Sequence, residues 1–149
     1  AKKYKMPIIV STHFRTKEIL QKQNFSHKLI KFYKPFGFLD YINLEINSKV
    51  VLSDSGSLTE ESSILNFKAI DLRDENERPE GMEEASVMMV GLGVERVMQA
   101  LKIIEDQPRD EERLLRRVGD YSMPNVADKM VRIIHSYTDY VNRVVWKKY

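Results

Sequence analysis

The stretch 50–80, VVLSDSGSLTEESSILNFKAIDLRDENERPE, concentrates residue types that bind anions. Val50, Val51 and Leu52 form an apolar run that stops at Ser53, and SDSGS follows it. Gly56 has no Cβ, so it can take backbone shapes other residues avoid and lets a ligand approach the main chain closely. A helix is expected from Ser57 onward. The first N–H groups of a helix have no intrahelical partner, and their dipoles favour negative charge. Ser55 and Ser57 add hydroxyl donors. The result is a phosphate cradle without a lysine, matching neither GxGxxG nor GxxxxGK(S/T). A purely structural reading fits the same residues. Ser57 followed three residues later by Glu60 is a capping box, which starts a helix without any ligand.

Two further groups flank this turn. Glu60 and Glu61 open the helix, and a carboxylate facing a ligand suits the two hydroxyls of a ribose. A solvated acid near a helix N-terminus is the plain alternative. DENERPE places Arg78 in the loop after the next strand. A guanidinium there meets phosphate in bidentate fashion, whereas a charged surface loop needs no such role.

The elements that must position these residues follow from apolar patterning. MPIIVS reads as a buried strand, because Ile8, Ile9 and Val10 are β-branched without polar alternation. RTKEILQKQ reads as a short helix and HKLIKFY as a second strand, ended by Pro35 and Gly37. FLDYINLEIN is a helix with Leu39, Ile42 and Ile46 on one side. KVVLS, KAIDL and SVMMVG are the third, fourth and fifth strands, with a helix over 57–65 between the first two of these. Val94, Val97, Leu101 and Ile104 return at helical spacing, and EERLLRRV is a further short helix. Strands alternate with helices, which argues for an α/β fold with a mostly parallel sheet and helices on both faces. Such sheets bind ligands beyond the carboxyl ends of their strands, where Asp54–Ser57 and Asp74–Pro79 both fall.

The end of the chain differs. VADKMVRIIHSYTDYVNRVVWKKY is a long helical run with Val131, Ile134, Tyr137, Val141, Val145 and Trp146 in an apolar stripe. Either it covers its own sheet, or its last turns pack on another domain or subunit.

Composition excludes several classes. The chain has 149 residues, enough for one domain with a sizeable core. Its 24 basic and 22 acidic side chains nearly balance, which gives no footing for nucleic acid or an anionic membrane. There is no cysteine, so disulfides, thiolate catalysis and thiolate-bound metals are out. No apolar run approaches the roughly 20 residues that cross a bilayer. With no secretory signal before the first strand, the cytoplasm is the expected compartment. The chain is already in an apolar run by Met6, consistent with little processing or with a piece of a longer protein.

Taken together, LSDSGSLTEESSILNFKAIDLRDENERPEGMEEAS resembles the C-terminal region of the non-hydrolysing UDP-N-acetylglucosamine 2-epimerases. Their pattern is close to LTDSGGxQEEAPxLGxPVLxxRDxTERPExxxAG. The similarity extends back through KPFGFLDYINLEINSKVV, forward to about Gly93, and more weakly to the end. YSMPN and LSDSG…EESSIL lean toward the capsule-pathway branch, of the UDP-N-acetyl-L-fucosamine synthase type.

The resemblance implies two Rossmann-like domains of GT-B type facing each other across a cleft, with UDP held mainly by the C-terminal one. Residues 1–123 would then be part of a UDP-binding domain. Residues 124–149 would be a helical segment packing on an N-terminal domain outside this chain. The diphosphate falls to Ser55, Gly56 and Ser57, the ribose to Glu61, and Arg78 supports the nucleotide site. Tyr41 falls where the family stacks an aromatic ring on uracil. His13, in STHFRT, matches a histidine near the cleft and takes no assigned chemical role. Ser57 replaces the second glycine of the usual DSGG, and the family's NPYGDG stretch is absent, with GDYSMPN near its place. The HRREN segment and the catalytic carboxylates lie upstream of anything present, so no catalytic residue is assigned and the chain alone is expected to be inactive. No metal and no cofactor are implied. The expected partners are a UDP-2-acetamido sugar or UDP, the absent N-terminal domain, and a second copy in a homodimer. A nucleotide-sugar glycosyltransferase domain and a non-enzymatic nucleotide-binding or interaction domain are the alternatives.

Overall fold

The computed structural model describes residues 1–108 and 111–148. The chain divides into two compact units, Ala1–Ser48 and Lys49–Tyr149.

The first unit runs β1 (Ile8–Ser11), α1 (Phe14–Lys22), β2 (Ile30–Tyr33) and α2 (Phe38–Asn47). β1 and β2 are parallel, in register from Ile8 opposite Ile30 to Ser11 opposite Tyr33. The ladder is extended by Ile8 N–H to the Leu29 carbonyl at 2.7 Å and by Thr12 N–H to the Tyr33 carbonyl at 2.9 Å. Both strands and both helices fall where the patterning places them. The burial of β1 does not: Ile9 is 49% exposed and the strand alternates between half-buried and exposed. This unit buries little overall, and α1 has no buried residue either.

The second unit contains β3 (Val51–Ser53), α3 (Leu58–Leu65), β4 (Ala69–Asp71), α4 (Pro79–Glu83), β5 (Met88–Met89), α5 (Val94–Ile103) and α6 (Val126–Tyr140). Its sheet has the order β3-β4-β5, and both pairings are parallel. β4 is central and buried throughout. Alternation along it divides the core between two faces. Ala69 packs with Leu58, Phe67 and Val87, adjoined by Leu65 and Met82. Ile70 packs with Ala100 and Ile104, adjoined by Leu72, Met88 and Leu101. Thus α3 covers one face and α5 the other, as parallel strands require. The fold is α/β and Rossmann-like, with every strand pair among the described residues parallel. The patterning suggested one sheet, but the strands form two sheets, one in each unit.

Three local expectations need correction. EERLLRRV is not a helix. Tertiary partners take its polar groups instead. Arg113 donates to the carbonyls of Ser63 and Ile64 at 2.8 and 2.7 Å, and the buried Val118 N–H donates to Ser63 Oγ at 2.9 Å. The Asn66 side chain, at the left-handed C-cap of α3, donates to the Glu112 carbonyl at 2.8 Å. The segment is therefore a strap over the end of α3, leading to a 3-10 turn at Gly119–Tyr121. Second, α4 starts at Pro79, where the reading placed the end of a loop, and fills part of the segment before β5. Its signal was Pro79 at the first helical position, where the missing N–H does no harm. Third, the C-terminal run is α-helical only to Tyr140, and Val141–Val145 form a π-helical turn. No residue of α6 is buried, and Ile134, Tyr137, Val145 and Trp146 are each at least 58% exposed. This overturns the reading in which α6 covers its own sheet.

Candidate functional site

The carboxyl edge of β3 and β4 carries the candidate site. β3 ends at Ser53, whose Oγ accepts from the Ser55 N–H at 3.1 Å and folds the turn back over the strand end. The Ser55 carbonyl accepts from the Leu58 N–H at 3.2 Å, which leads the chain into α3. Ser57 is the N-cap residue, but its side chain makes no cap bond. Its Oγ lies 3.0 Å from Ser55 Oγ instead. The Glu60 carboxylate does not return to Ser57 either: Glu60 Oε1 accepts from Arg78 Nε at 2.6 Å. The capping box allowed by the sequence therefore does not form. Among the described residues, none accepts a hydrogen bond from the N–H groups of Gly56 or Ser57.

Gly56 does not use the conformational freedom that its type allows. Its φ is not in the left-handed region; Gly91, at φ 66°, is the described glycine that is. A Cβ on Gly56 would lie 3.8 Å from Arg78 Nη2 and 3.9 Å from Arg73 Nη1. The glycine keeps open the space between its own backbone and two guanidinium groups.

Arg78 is the N-cap residue of α4. Its N–H donates to Asn76 Oδ1 at 2.5 Å, and its side chain is 35% exposed. The hydrogen bond and charge of Glu60 push its pKa further above the usual arginine value, so it is a permanent cation. Glu61 follows Glu60 in the first turn of α3, is half-buried, and donates its N–H to the Ser57 carbonyl at 2.9 Å. Of the two acids, Glu60 holds the arginine.

Behind this layer, Tyr121 donates its hydroxyl to Glu80 Oε1 at 2.8 Å. Burial, then the bond to Glu80, pushes the Tyr121 phenol well above its usual value. Glu80 is held below the usual carboxylate range by its own backbone N–H and then by Tyr121. At the end of β4, the buried Asp71 accepts from the Arg73 N–H at 3.1 Å. Burial raises its pKa against the pull of that bond and of the Arg73 charge.

The structure thus brings Ser55, Gly56, Ser57 and Arg78 together, with Glu61 on the adjoining helical turn. Tyr41 and His13 belong to the first unit. Tyr41 is half-buried in the first turn of α2, where its N–H meets the Gly37 carbonyl at 2.9 Å. His13 is the exposed N-cap residue of α1, with its ring 4.2 Å from that of Phe14. The sequence reading missed Arg73, the pairing of Glu60 with Arg78, and the Tyr121–Glu80 bond. A cation two residues past a parallel strand was the available signal for Arg73; the other two join residues 18 and 41 positions apart. Among the described residues, no group of three or more His, Cys, Asp or Glu side chains is placed to hold a metal, and no helix is long and apolar enough to cross a membrane.

Comparison with known proteins gives this parallel α/β fold its family. The sequence profile of UDP-N-acetylglucosamine 2-epimerase matches residues 1–135. The chain belongs to the UDP-N-acetylglucosamine 2-epimerase family. It is 38% identical over 112 residues to the UDP-N-acetylglucosamine 2-epimerase of Methanocaldococcus jannaschii, covering 72% of this chain and 31% of that protein. The solved structure of the enzyme from Rickettsia bellii superposes with a TM-score of 0.87 at 42% identity, over 99% of this chain and 41% of that one. The M. jannaschii enzyme in complex with UDP-GlcNAc and UDP superposes with a TM-score of 0.77 at 33% identity, over 91% of this chain and 37% of that one. The chain therefore spans between 31% and 41% of the length of these relatives.

Proposed function

We propose that this chain is the UDP-binding part of a UDP-2-acetamido-sugar 2-epimerase. The observation that carries the reading is the unfilled helix start at Ser55–Ser57 with the Arg78 guanidinium held against Gly56 by Glu60. In this assignment the N–H groups of Gly56 and Ser57 and the hydroxyls of Ser55 and Ser57 take the diphosphate. Arg78 neutralises it, Glu61 receives the ribose hydroxyls and Tyr41 the uracil ring, while His13 lies near the cleft without an assigned chemical step. The relative from M. jannaschii, solved with UDP-GlcNAc and UDP, supports the ligand class.

The reaction inverts C2 of the sugar. A base removes the C2 proton, the C1–O bond breaks with its electron pair going to UDP, and a 2-acetamidoglycal remains. Protonation at C2 from the other face and return of the UDP oxygen to C1 complete the inversion. UDP is first a leaving group and then a nucleophile, so its site must stabilise growing negative charge and retain the released UDP. Preorganised N–H groups and a fixed guanidinium perform that task. The base and acid belong to residues outside this chain, and the chain alone does not epimerise.

The same proposal includes a second, N-terminal domain in a GT-B arrangement, with residues 1–123 as the UDP-binding region and 124–149 as a helical segment that packs on that domain. The exposure of Ile134, Tyr137, Val145 and Trp146 supports it. YSMPN and the EESSIL sequence favour the branch that leads to UDP-N-acetyl-L-fucosamine and capsular or surface polysaccharide, acting as a cytoplasmic homodimer. The test is a titration of the chain with UDP, ADP and phosphate, followed by amide NMR. UDP should bind best and shift Gly56 and Ser57. A folded chain whose Gly56 resonance stays fixed at millimolar UDP refutes the assignment.

A further inference from the structure

We propose that Arg73 is a second anion-binding residue of this site, paired with Arg78 across Gly56. The inference rests on the nucleotide-binding reading above and names a residue that reading does not include. Two guanidinium nitrogens converge on one backbone position: Arg78 Nη2 at 3.8 Å and Arg73 Nη1 at 3.9 Å from where a Cβ on Gly56 would stand.

The two arginines are held differently. Arg78 is fixed through its side chain, with Nε committed to Glu60 at 2.6 Å. Arg73 is fixed through its backbone. Its N–H donates to Asp71 Oδ1 at 3.1 Å, and its carbonyl accepts from the Gly91 N–H at 3.1 Å. These bonds tie the residue to the end of β4 and to the loop after β5, while the guanidinium extends toward Gly56. Its ion-pair partner there is Glu77, at 3.7 Å with a side chain that is 69% exposed. That separation is beyond hydrogen-bond length, and so exposed a partner holds Arg73 only weakly. Arg73 therefore keeps donors for another acceptor.

Charge makes the same point. Two guanidinium groups near one point repel each other. They stand at the N-terminal end of α3, where the helix dipole is also positive. Three like-signed contributions meet, opposed by the Glu60 carboxylate on Arg78 and by the exposed Glu77 carboxylate 3.7 Å from Arg73. A dianionic ligand between the arginines reverses the sign of each contribution. A diphosphate matches the charge of the two groups, and planar guanidinium forks suit its oxygens. As the C1–O bond of a bound nucleotide sugar breaks, the electron pair passes to a diphosphate oxygen, and the second cation meets that added charge.

The experiment is a titration of the chain with UDP, uridine and inorganic pyrophosphate, read by amide and phosphorus NMR. The variants are Arg73→Ala, Arg73→Lys and Arg78→Ala. Because Arg73 is anchored by backbone atoms, truncating it leaves those bonds in place, and the β4 and β5 amide signals verify this. Arg73→Ala should weaken UDP and pyrophosphate about tenfold or more, as expected for a lost charge-assisted hydrogen bond, and leave uridine unaffected. Arg73→Lys should recover part of the loss. If Arg73→Ala binds UDP and pyrophosphate as wild type does while Arg78→Ala does not, this inference is overturned and the nucleotide reading stands. An equal loss for uridine also overturns it, since that marks a structural role. Arg73-dependent binding of pyrophosphate without preference for UDP supports the arginine pair and refutes the uridine assignment. A wild-type chain that takes neither ligand overturns both.

Discussion

Gly81→Ala tests how tightly the site depends on the packing behind it. Gly81 is buried in α4, and a Cβ on it would overlap the Thr59 Cγ2 methyl and stand 3.3 Å from the Tyr121 hydroxyl. Thr59 is 3% exposed on α3 and has no room to yield. The overlap is relieved only if α4 moves off α3. That movement pulls on Arg78, the N-cap of α4, whose bond to Glu60 returns to α3 at 2.6 Å. Overpacking of this kind costs about 1–3 kcal/mol. Replacing a helical glycine by alanine returns about 0.5–1 kcal/mol. The net expected loss is therefore about 1–2 kcal/mol. Thr59→Ser removes the obstructing methyl and on its own costs about 1 kcal/mol, the usual value for a buried methyl.

In the double variant the added methyl occupies the space that Thr59 vacated. Its loss should be smaller than the sum of the single losses by about 1–2 kcal/mol, a coupling typical of residues in contact. Urea unfolding of the four proteins measures the cycle, with exchange of α3 and α4 amides reporting on this region alone. UDP affinity should fall several-fold in Gly81→Ala and recover in the double variant, because the arginine returns with the helix. Strict additivity of the two changes, or a Gly81→Ala protein as stable as wild type, refutes the reasoning.

Two other outcomes follow from the same geometry. Tyr121→Phe removes the second donor that holds Glu80 below its ordinary value of 4.5. A depressed carboxylate stabilises the fold above its unfolded pKa and loses that contribution as pH falls through the folded value. The stability difference between wild type and Tyr121→Phe should therefore shrink on acidification through that window. The Glu80 carboxyl carbon should titrate at higher pH in the variant; identical titration in both proteins sinks the assignment. Trp146 is 60% exposed, with Lys148 Nζ 4.5 Å from its ring centre, so dilute chain should show solvated indole emission open to acrylamide. Blue-shifted, protected emission at every dilution would show that the apolar face of α6 is covered within the chain itself.

The parts of the fold that were legible share one property: their pattern is local. FLDYINLEIN is apolar at helical spacing between Gly37 and Ser48, and α2 spans those ten residues. KAIDL has no polar alternation before its acid, and β4 is buried on both faces. EERLLRRV misled because its leucines and arginines favour helix, while its actual partners lie about 50 residues earlier, at Ser63 and Ile64. Tertiary hydrogen bonds overrode propensity there. The exposure of Ile9 was illegible for a related reason: β-branched residues announce a strand, not what covers it. At the carboxyl edge of the strands, the meeting of Ser55, Gly56, Ser57 and Arg78 was legible because strand–helix alternation puts both loops at that edge. Arg73 was not, since a lone cation after a strand is ordinary until a glycine from another loop is found facing it.

Glu60 shows how one side chain decides between structure and function. Spacing from Ser57 allows it to close a capping box, and a cap of that kind is worth about 1 kcal/mol to a helix. It bonds Arg78 instead, while Ser57 Oγ turns toward Ser55 Oγ. The first N–H groups of α3 thus stay without side-chain partners, and the arginine that the acid anchors adds positive charge to the positive end of the helix. The charge-assisted bond to Arg78, of a stronger kind than a neutral hydrogen bond, offsets the lost cap. Under the proposed function an anion in the turn would give the same N–H groups and guanidinium a shared acceptor. A ligand that binds only this folded form also stabilises it, by about 2.7 kcal/mol at a hundredfold excess over Kd. On the proposed nucleotide-binding reading, the uncapped turn and the anchored arginine serve one end, a helix start that the ligand completes.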